Sequence, residues 1–237
     1  MILALNTSTP QMGIAVMHEG GWPLAGMILS QGPSHFGSLM PAIHFLLENM
    51  GTDIHQIDGI AVAVGPGSFT GLRVGVAAAK GLAHALGIPL MGISSLKALA
   101  VGAGKPDNSM VVAPLVDSKR DEVFTAPFLY ENNKLVQVAE EHSVQFDRLC
   151  DIYDPLRTLF VGSNPAVQMP RLSDIYPNGF ITAPVHLWAA DAVAVASLGL
   201  SRFLSEDYDD LHTITPAYIS PPDIRPNPYA SFFKAKM

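Results

Sequence analysis

The chain has 237 residues and a formal charge of −7, with 15% charged and 49% hydrophobic residues. That length gives one large domain or two small ones with ample core, and the apolar excess means a large core or surface kept for a partner. The acidic balance and the lack of any Lys/Arg cluster argue against a protein that grips tRNA or DNA by itself.

The single cysteine, Cys150, excludes an internal disulfide. The opening MILALNTS lacks the basic and long apolar regions of a signal peptide. The most apolar region, 60–104, is interrupted by Gly65-Pro66, Arg73, Lys80 and His84, so it does not read as a membrane span. A soluble, cytoplasmic protein is expected.

In chain order, apolar residues 2–5, a polar turn at Asn6 to Gln11 and apolar residues 13–17 predict strand, turn, strand. Residues 24–30 suggest a third strand. Leu39, Ile43, Leu46, Leu47 and Met50 have helical spacing over 38–50, with Pro41 acceptable in a first turn and Gly51 as the stop. DGIAVAVG reads as a fully buried strand, followed by a helix from about Gly71 to Leu86 ended by Gly87, and IPLMGISS supplies another strand. The second half opens alike: MVVAPLVDSKRDEVFTAPFL is again strand, turn, strand, with Asn6 and Asp117 at equivalent places. TLFVGSNPA then echoes IAVAVGPGS as strand and glycine loop. These parallels favour an internal duplication, with lobes at 1–104 and 105–215. A helix near 188–204 and the acidic run EDYDD, read as a solvated loop, precede a proline-rich tail, 216–237, expected to pack on the body or a partner.

GPGSFTGLRVG, residues 65–75, fits neither common phosphate-binding pattern. A P-loop needs GxxxxGK[ST], but Leu72 and Arg73 follow Gly71. A dinucleotide fingerprint needs GxGxxG and a later acidic residue; Gly65, Gly67 and Gly71 are spaced one residue too widely, and no Asp or Glu occurs between Asp58 and Asp107. A strand-to-helix turn capped by Ser68 or Thr70 remains. Downstream, Gly71, Gly75, Ala79 and Ala83 form a stripe of small residues that lets another backbone approach closely. It serves either packing inside the same domain or packing against a helix of another subunit.

MILALNTSTPQMGIAV, SHFGSLMPAIHFLL, DGIAVAVGPGSFTGLRVGVAAAKGLAHALGIPLMGISSLKALA and PLVDSKRDEVFTA, in this order, resemble the TsaB (YeaZ) family, for which GPGSFTGLR is close to a signature. The match is strong to about residue 130 and weaker through FVGSNP and TPAYI. The resemblance implies an α/β, duplicated actin/hexokinase-like (ASKHA) fold, two lobes each with a mixed sheet and flanking helices. It also implies a role in forming threonylcarbamoyladenosine at position 37 of tRNA, as a non-catalytic partner of the transferase TsaD with the ATPase TsaE. Homodimers in isolation, and contact with tRNA only through the complex, go with that role. At the nucleotide-loop positions Asn6, Thr7, Ser8, Asp117 and Ser118 the chain departs from nucleotide-using relatives. Asn6 stands where a carboxylate is usual, and Ser118 and Lys119 give no glycine beside Asp117.

No catalytic constellation emerges. TsaD holds metal through two histidines four residues apart; here His35 is followed by Leu39, and His44 lies nearly opposite on an ideal helix. Cys150 has Arg148 nearby but no histidine within six residues, and Ser68 is not in a GxSxG elbow. Asp117, Asp121 and Glu122, alternating with Lys119 and Arg120, suit an ion-paired surface. The expectation is therefore no catalytic residue, metal or cofactor. The expected partner interface, from helices 36–50 and 71–86, comprises His35, Leu39, Met40, Ile43, Leu47, Gly71, Arg73, Gly75, Ala79 and Lys80. The rival is an ASKHA phosphotransferase or peptidase-like enzyme with its own nucleotide or metal site.

Overall fold

A computed structural model describes residues 1–30, 35–106, 110–119, 121–189 and 191–219. Strand alternation sends successive side chains to opposite faces of a sheet, and both faces of the first sheet are covered. Its five strands are β1 (Ile2–Asn6), β2 (Met12–Met17), β3 (Pro23–Leu29), β4 (Gly59–Gly65) and β5 (Leu90–Ser94), in the order β3-β2-β1-β4-β5. β1 to β3 form an antiparallel meander, while β4 and β5 run parallel to β1. Leu3, Leu5, Ile14, Val16, Ile60 and Val62 face the helices α1 (Leu39–Met50) and α2 (Phe69–Leu86). Ile2, Ala4, Ala15, Ala61 and Ala63 face α5 (Ala192–Leu204) on the other side. A parallel strand buried on both faces needs an unbroken apolar run, which is what IAVAV supplies.

Helix ends follow local chemistry. Ser68 Oγ accepts the Gly71 N–H at 3.2 Å and caps α2, two residues earlier than the periodicity alone places its start. Gly51 and Gly87 close α1 and α2 at φ 62° and 67°, the left-handed region where a Cβ is penalised. Trp188 lies outside α5: it follows the 3-10 turn Val185–Leu187, buried, with Nε1 donating to the Ala183 carbonyl at 2.9 Å. α3 (Ser95–Gly102), which the sequence reading lacks, follows β5 directly because Ser94 Oγ accepts the Lys97 N–H at 3.1 Å.

The second sheet repeats the plan. β6 (Val111–Asp117) pairs antiparallel with β7 (Glu122–Thr125) and parallel with β11 (Thr158–Gly162), as β1 pairs with β2 and β4. β8 (Phe128–Glu131), β9 (Lys134–Gln137), β10 (His142–Gln145) and β12 (Ile181–Thr182) complete it. The β8–β9 hairpin turns through Asn132 and Asn133 at φ 48° and 67°, which asparagine tolerates. α4 (Pro165–Ile175) follows β11, and the core beneath holds Phe128, Phe146, Phe160, Leu172 and Trp188. The two mixed sheets with flanking helices are the duplicated ASKHA architecture expected from sequence. Among the described residues, no helix is long and apolar enough to cross a membrane.

The acidic run after α5 is not a simple solvated loop. Arg202 donates to Asp207 at 2.8 and 3.0 Å, to Asp209 at 2.8 Å and to the Gly92 carbonyl at 2.7 Å. Asp209 Oδ2 also accepts the Gly92 N–H at 2.6 Å, tying the segment to the β5 edge. The guanidinium holds the Asp207 carboxyl below the usual aspartate range.

Ser94 donates to Glu141, joining the end of β5 to the segment before β10. Burial raises the Glu141 pKa, with the Ser94 hydrogen bond opposing. A carboxyl whose pKa is raised on folding favours the fold at low pH and loses that contribution as pH rises through the shifted value. Glu141→Gln keeps an acceptor for Ser94 without the charge. The variant is expected to melt above wild type at pH 8 and level with it at pH 4; parallel curves would contradict this.

Candidate functional site: two self-filled loops and the outer face of helices α1 and α2

The glycine loop between β4 and α2 is packed on the turn between β1 and β2. The Ser68 N–H donates to the Ser8 carbonyl at 2.7 Å, and a Cβ on Gly67 would run into that same carbonyl. Thr7 Oγ1 donates to the Gly71 carbonyl at 2.7 Å, and a Cβ on Gly75 would overlap Thr7 Oγ1. The Asn6 amide oxygen accepts both the N–H and the hydroxyl of Ser8, at 3.1 and 2.7 Å. Asn6, Thr7 and Ser8 are 2%, 0% and 1% exposed. The glycines admit a neighbouring stretch of the chain's own backbone.

The matching loop of the second lobe is also filled from within. Asp117 accepts from Asn164 Nδ2 at 3.0 Å and from Gln168 Nε2 at 2.6 Å, one donor on each carboxylate oxygen. Gln168 is fully buried, and its Oε1 accepts the Asn164 N–H at 3.1 Å. Gly162 leaves room for this amide: a Cβ there would overlap Gln168 Oε1 and lie 2.7 Å from the Trp188 ring. The Ser118 N–H closes the turn on the Glu122 carbonyl at 2.9 Å. Glu122 accepts from Ser143 and Gln145 at 2.7 and 3.1 Å, and Asp121 pairs with Arg171 at 3.5 Å. Arg120 lies outside the described residues. Cys150 is exposed, with Sγ donating to the Asp147 carbonyl at 3.1 Å. Among the described residues, no three His, Cys, Asp or Glu side chains gather as a metal would need.

The ten interface candidates divide by side. Leu39, Ile43 and Leu47 on α1, and Gly71, Gly75 and Ala79 on α2, are buried beneath the helices. This corrects the reading of the Gly71–Gly75–Ala79–Ala83 stripe as a seat for a partner helix: Thr7 and the chain's own sheet occupy it. Met40 and Arg73 point outward and Lys80 is half-buried. His35 lies in the 3-10 turn His35–Ser38, and its side chain is outside the described residues. The outer face also carries Phe45 and Phe69, 57% and 45% exposed, and small residues at Ala77, Gly81 and Ala85. At 3.6 residues per turn, Ala77 lies about 200° around the helix from Gly75. α2 therefore has small stripes on opposite sides, and four-residue spacing alone does not tell which one faces in.

Comparison with known proteins decides the family. The model for tRNA N6-adenosine threonylcarbamoyltransferase (TsaD) matches residues 30–194. The tRNA threonylcarbamoyladenosine biosynthesis protein TsaB of Bacillus subtilis strain 168 is 33% identical over 92% of this chain and 93% of its own. The chain belongs to the TsaB family. The solved structure of YeaZ from Pseudomonas aeruginosa superposes with a TM-score of 0.77 at 25% identity, covering 92% of this chain and 98% of that one. An N-acetylmannosamine kinase-like protein from Listeria monocytogenes superposes at 0.50 with 14% identity over 87% of this chain and 99% of its own, a likeness of fold alone. The span matched by the TsaD model contains α1, α2 and the Asp117–Gln168 network, whereas the Asn6–Ser8 turn precedes it.

Proposed function

We propose that this TsaB-family chain is a non-catalytic subunit in forming threonylcarbamoyladenosine at position 37 of tRNA. It docks a TsaD-like transferase through the outer face of α1 and α2, with a TsaE-like ATPase as third component. The observation that carries the reading is this face, where Met40 and Phe45 on α1 are 48% and 57% exposed and α2 turns Ala77, Gly81 and Ala85 outward. Exposed large apolar groups beside small ones suit helix-to-helix contact. The match to the TsaD model supports the choice of partner, because a subunit of similar fold would present equivalent helices for pairing about a pseudo-two-fold axis. Both ASKHA loops bind the chain's own groups, which supports a supporting rather than a catalytic part. The −7 charge supports contact with tRNA through the complex. With this reading go a cytoplasmic location, lobes at 1–104 and 105–215, a tail at 216–237, and pairing of two copies through the same face when the partner is missing.

Phe45→Asp and Gly81→Leu test it. A Cβ on Gly81 meets nothing within 4 Å, so the isolated variant should melt at or above the wild-type temperature. Affinity for the TsaD-like subunit of the same cells, by calorimetry or co-purification, should fall at least ~10-fold for each variant. Unchanged affinity in both would overturn the docking reading. Turnover of ATP by the isolated chain, kept through repeated purification and lost in Asp117→Ala, would overturn the non-catalytic one.

A further inference from the structure

The segment after α5, residues 207–219, forms a strap that leads to the outer face of α2 and takes up cations and an aromatic ring there. The Asp209 N–H donates to the Leu90 carbonyl at 2.9 Å. Ile214 packs toward Gly92, and its carbonyl accepts from Lys80 Nζ at 3.2 Å. The Ala217 N–H donates to the Val64 carbonyl at 2.7 Å, and its own carbonyl lies over Gly65, whose φ of 122° suits glycine. Tyr218 then meets Phe69, ring centroids 5.5 Å apart, and its hydroxyl accepts from Arg73 Nε at 3.0 Å. The Arg73 guanidinium lies 3.7 Å over the Phe69 ring.

These contacts are too many and too well distributed for a segment that a partner peels away. A buried edge strand, an ion-paired carboxylate, a half-buried isoleucine packed against the core and a backbone hydrogen bond hold it in turn. Its last described turn is half-exposed beside Phe69. Nε of Arg73 is spent on Tyr218, and among the described residues its two terminal nitrogens have no hydrogen-bond partner. An oriented guanidinium on an exposed residue, with both terminal nitrogens unspent, matches a carboxylate.

We infer that the strap is a fixed wall of the docking face, and that Tyr218 positions Arg73 to receive a carboxylate from an apolar helix of the TsaD-like subunit. This rests on the docking reading above. Tyr218 is a positioning residue and Arg73 determines specificity. Lysine at position 73 keeps the charge but loses the planar fork and its stack on Phe69.

Binding of the purified TsaD-like subunit would be measured by calorimetry at low and high salt for wild type, Gly81→Leu, Phe45→Asp, Arg73→Lys, Arg73→Met, Tyr218→Phe and Tyr218→Ala, each with a melting curve. Arg73→Met and Tyr218→Ala are expected to weaken binding about 10-fold, Arg73→Lys and Tyr218→Phe by less, and Arg73→Met to flatten the salt dependence. If Tyr218→Ala alone melts low, the Phe and Lys variants decide, because both keep the strap seated: measurable weakening supports the inference, and wild-type affinity overturns it. Loss of binding in Gly81→Leu with wild-type affinity and salt slope in all four Arg73 and Tyr218 variants overturns the inference and leaves the docking face standing. Wild-type affinity in Gly81→Leu and Phe45→Asp alike, or no binding by wild type, overturns both.

Discussion

Gly75→Leu is expected to lower the melting temperature by roughly 2–8 °C, the shift given by a net loss of about 1–2 kcal/mol in a chain of this size. Two terms oppose each other. Removing a mid-helix glycine gains roughly 0.8–1.0 kcal/mol of helix propensity. Against it, the first carbon of the new side chain already overlaps Thr7 Oγ1, and Thr7 has no room to retreat: it is fully buried and its hydroxyl is bonded to the Gly71 carbonyl. Overpacking usually costs ~1–3 kcal/mol, and leucine sends three more carbons into the same space, so the clash wins. Thr7→Ala removes the obstruction along with its hydrogen bond. The Gly75→Ala/Thr7→Ala pair should therefore lose less than the sum of the single changes, with a coupling of about 0.5–3 kcal/mol. An unchanged melting temperature with partner binding lost would return this stripe to the interface.

The same position shows where sequence stops being informative. β1, β2, β4 and α2 are legible because burial on one or two sides writes a period of 2, a period of 3.6 or an unbroken apolar run into the chain. The ends of α1 and α2 are legible because Gly51 and Gly87 supply the left-handed turn. The side of α2 that faces in is not, because Gly75 and Gly81 belong to small-residue stripes of equal spacing. What separates them is Thr7, far away in the chain, pressing on one of them. α3 escapes the sequence reading because its apolar residues continue those of β5, with only the Ser94 cap between. The β8–β9 hairpin had a usable signal, Asn132-Asn133 between apolar runs, since asparagine tolerates positive φ.

The correspondence of Asn6 with Asp117 is likewise readable from the repeated strand–turn–strand pattern, but the partners of each are not. Asn6 turns back onto Ser8, two residues away, whereas Asp117 is met by Asn164 and Gln168 from the start of α4. The two lobes thus close equivalent loops by different means. A local side-chain turn beneath the glycine loop suffices in the first, and the second uses a long-range amide bridge. The EDYDD segment has the same lesson in charge: its composition predicts solvation, but one arginine on the preceding helix turns two of its carboxylates into an anchor for β5.

Gln168→Glu is expected to make stability strongly pH-dependent, and Gln168→Ala to lower it at every pH. In the native chain the Gln168 amide donates to Asp117 at 2.6 Å and to the Leu115 carbonyl at 3.3 Å, and accepts from the Asn164 N–H. Alanine strands the Asn164 donor and one Asp117 oxygen. At about 1–3 kcal/mol for each buried group left unpaired, a loss near 3 kcal/mol follows. Glutamate keeps the acceptor for Asn164 but places a second carboxyl against Asp117, where the two share one proton more readily than both ionise. The folded pKa of the pair is then raised above its unfolded values. Its favourable contribution is present below the ordinary carboxylate range and is lost as pH rises through the shifted value. Urea midpoints from pH 4 to pH 8, with the slope m unchanged, would read this directly. Gln168→Glu should approach wild type at the acid end and fall toward or below Gln168→Ala at the neutral end. A Gln168→Glu midpoint equal to wild type at pH 8 would mean that Asp117 is free of this amide and open to another ligand.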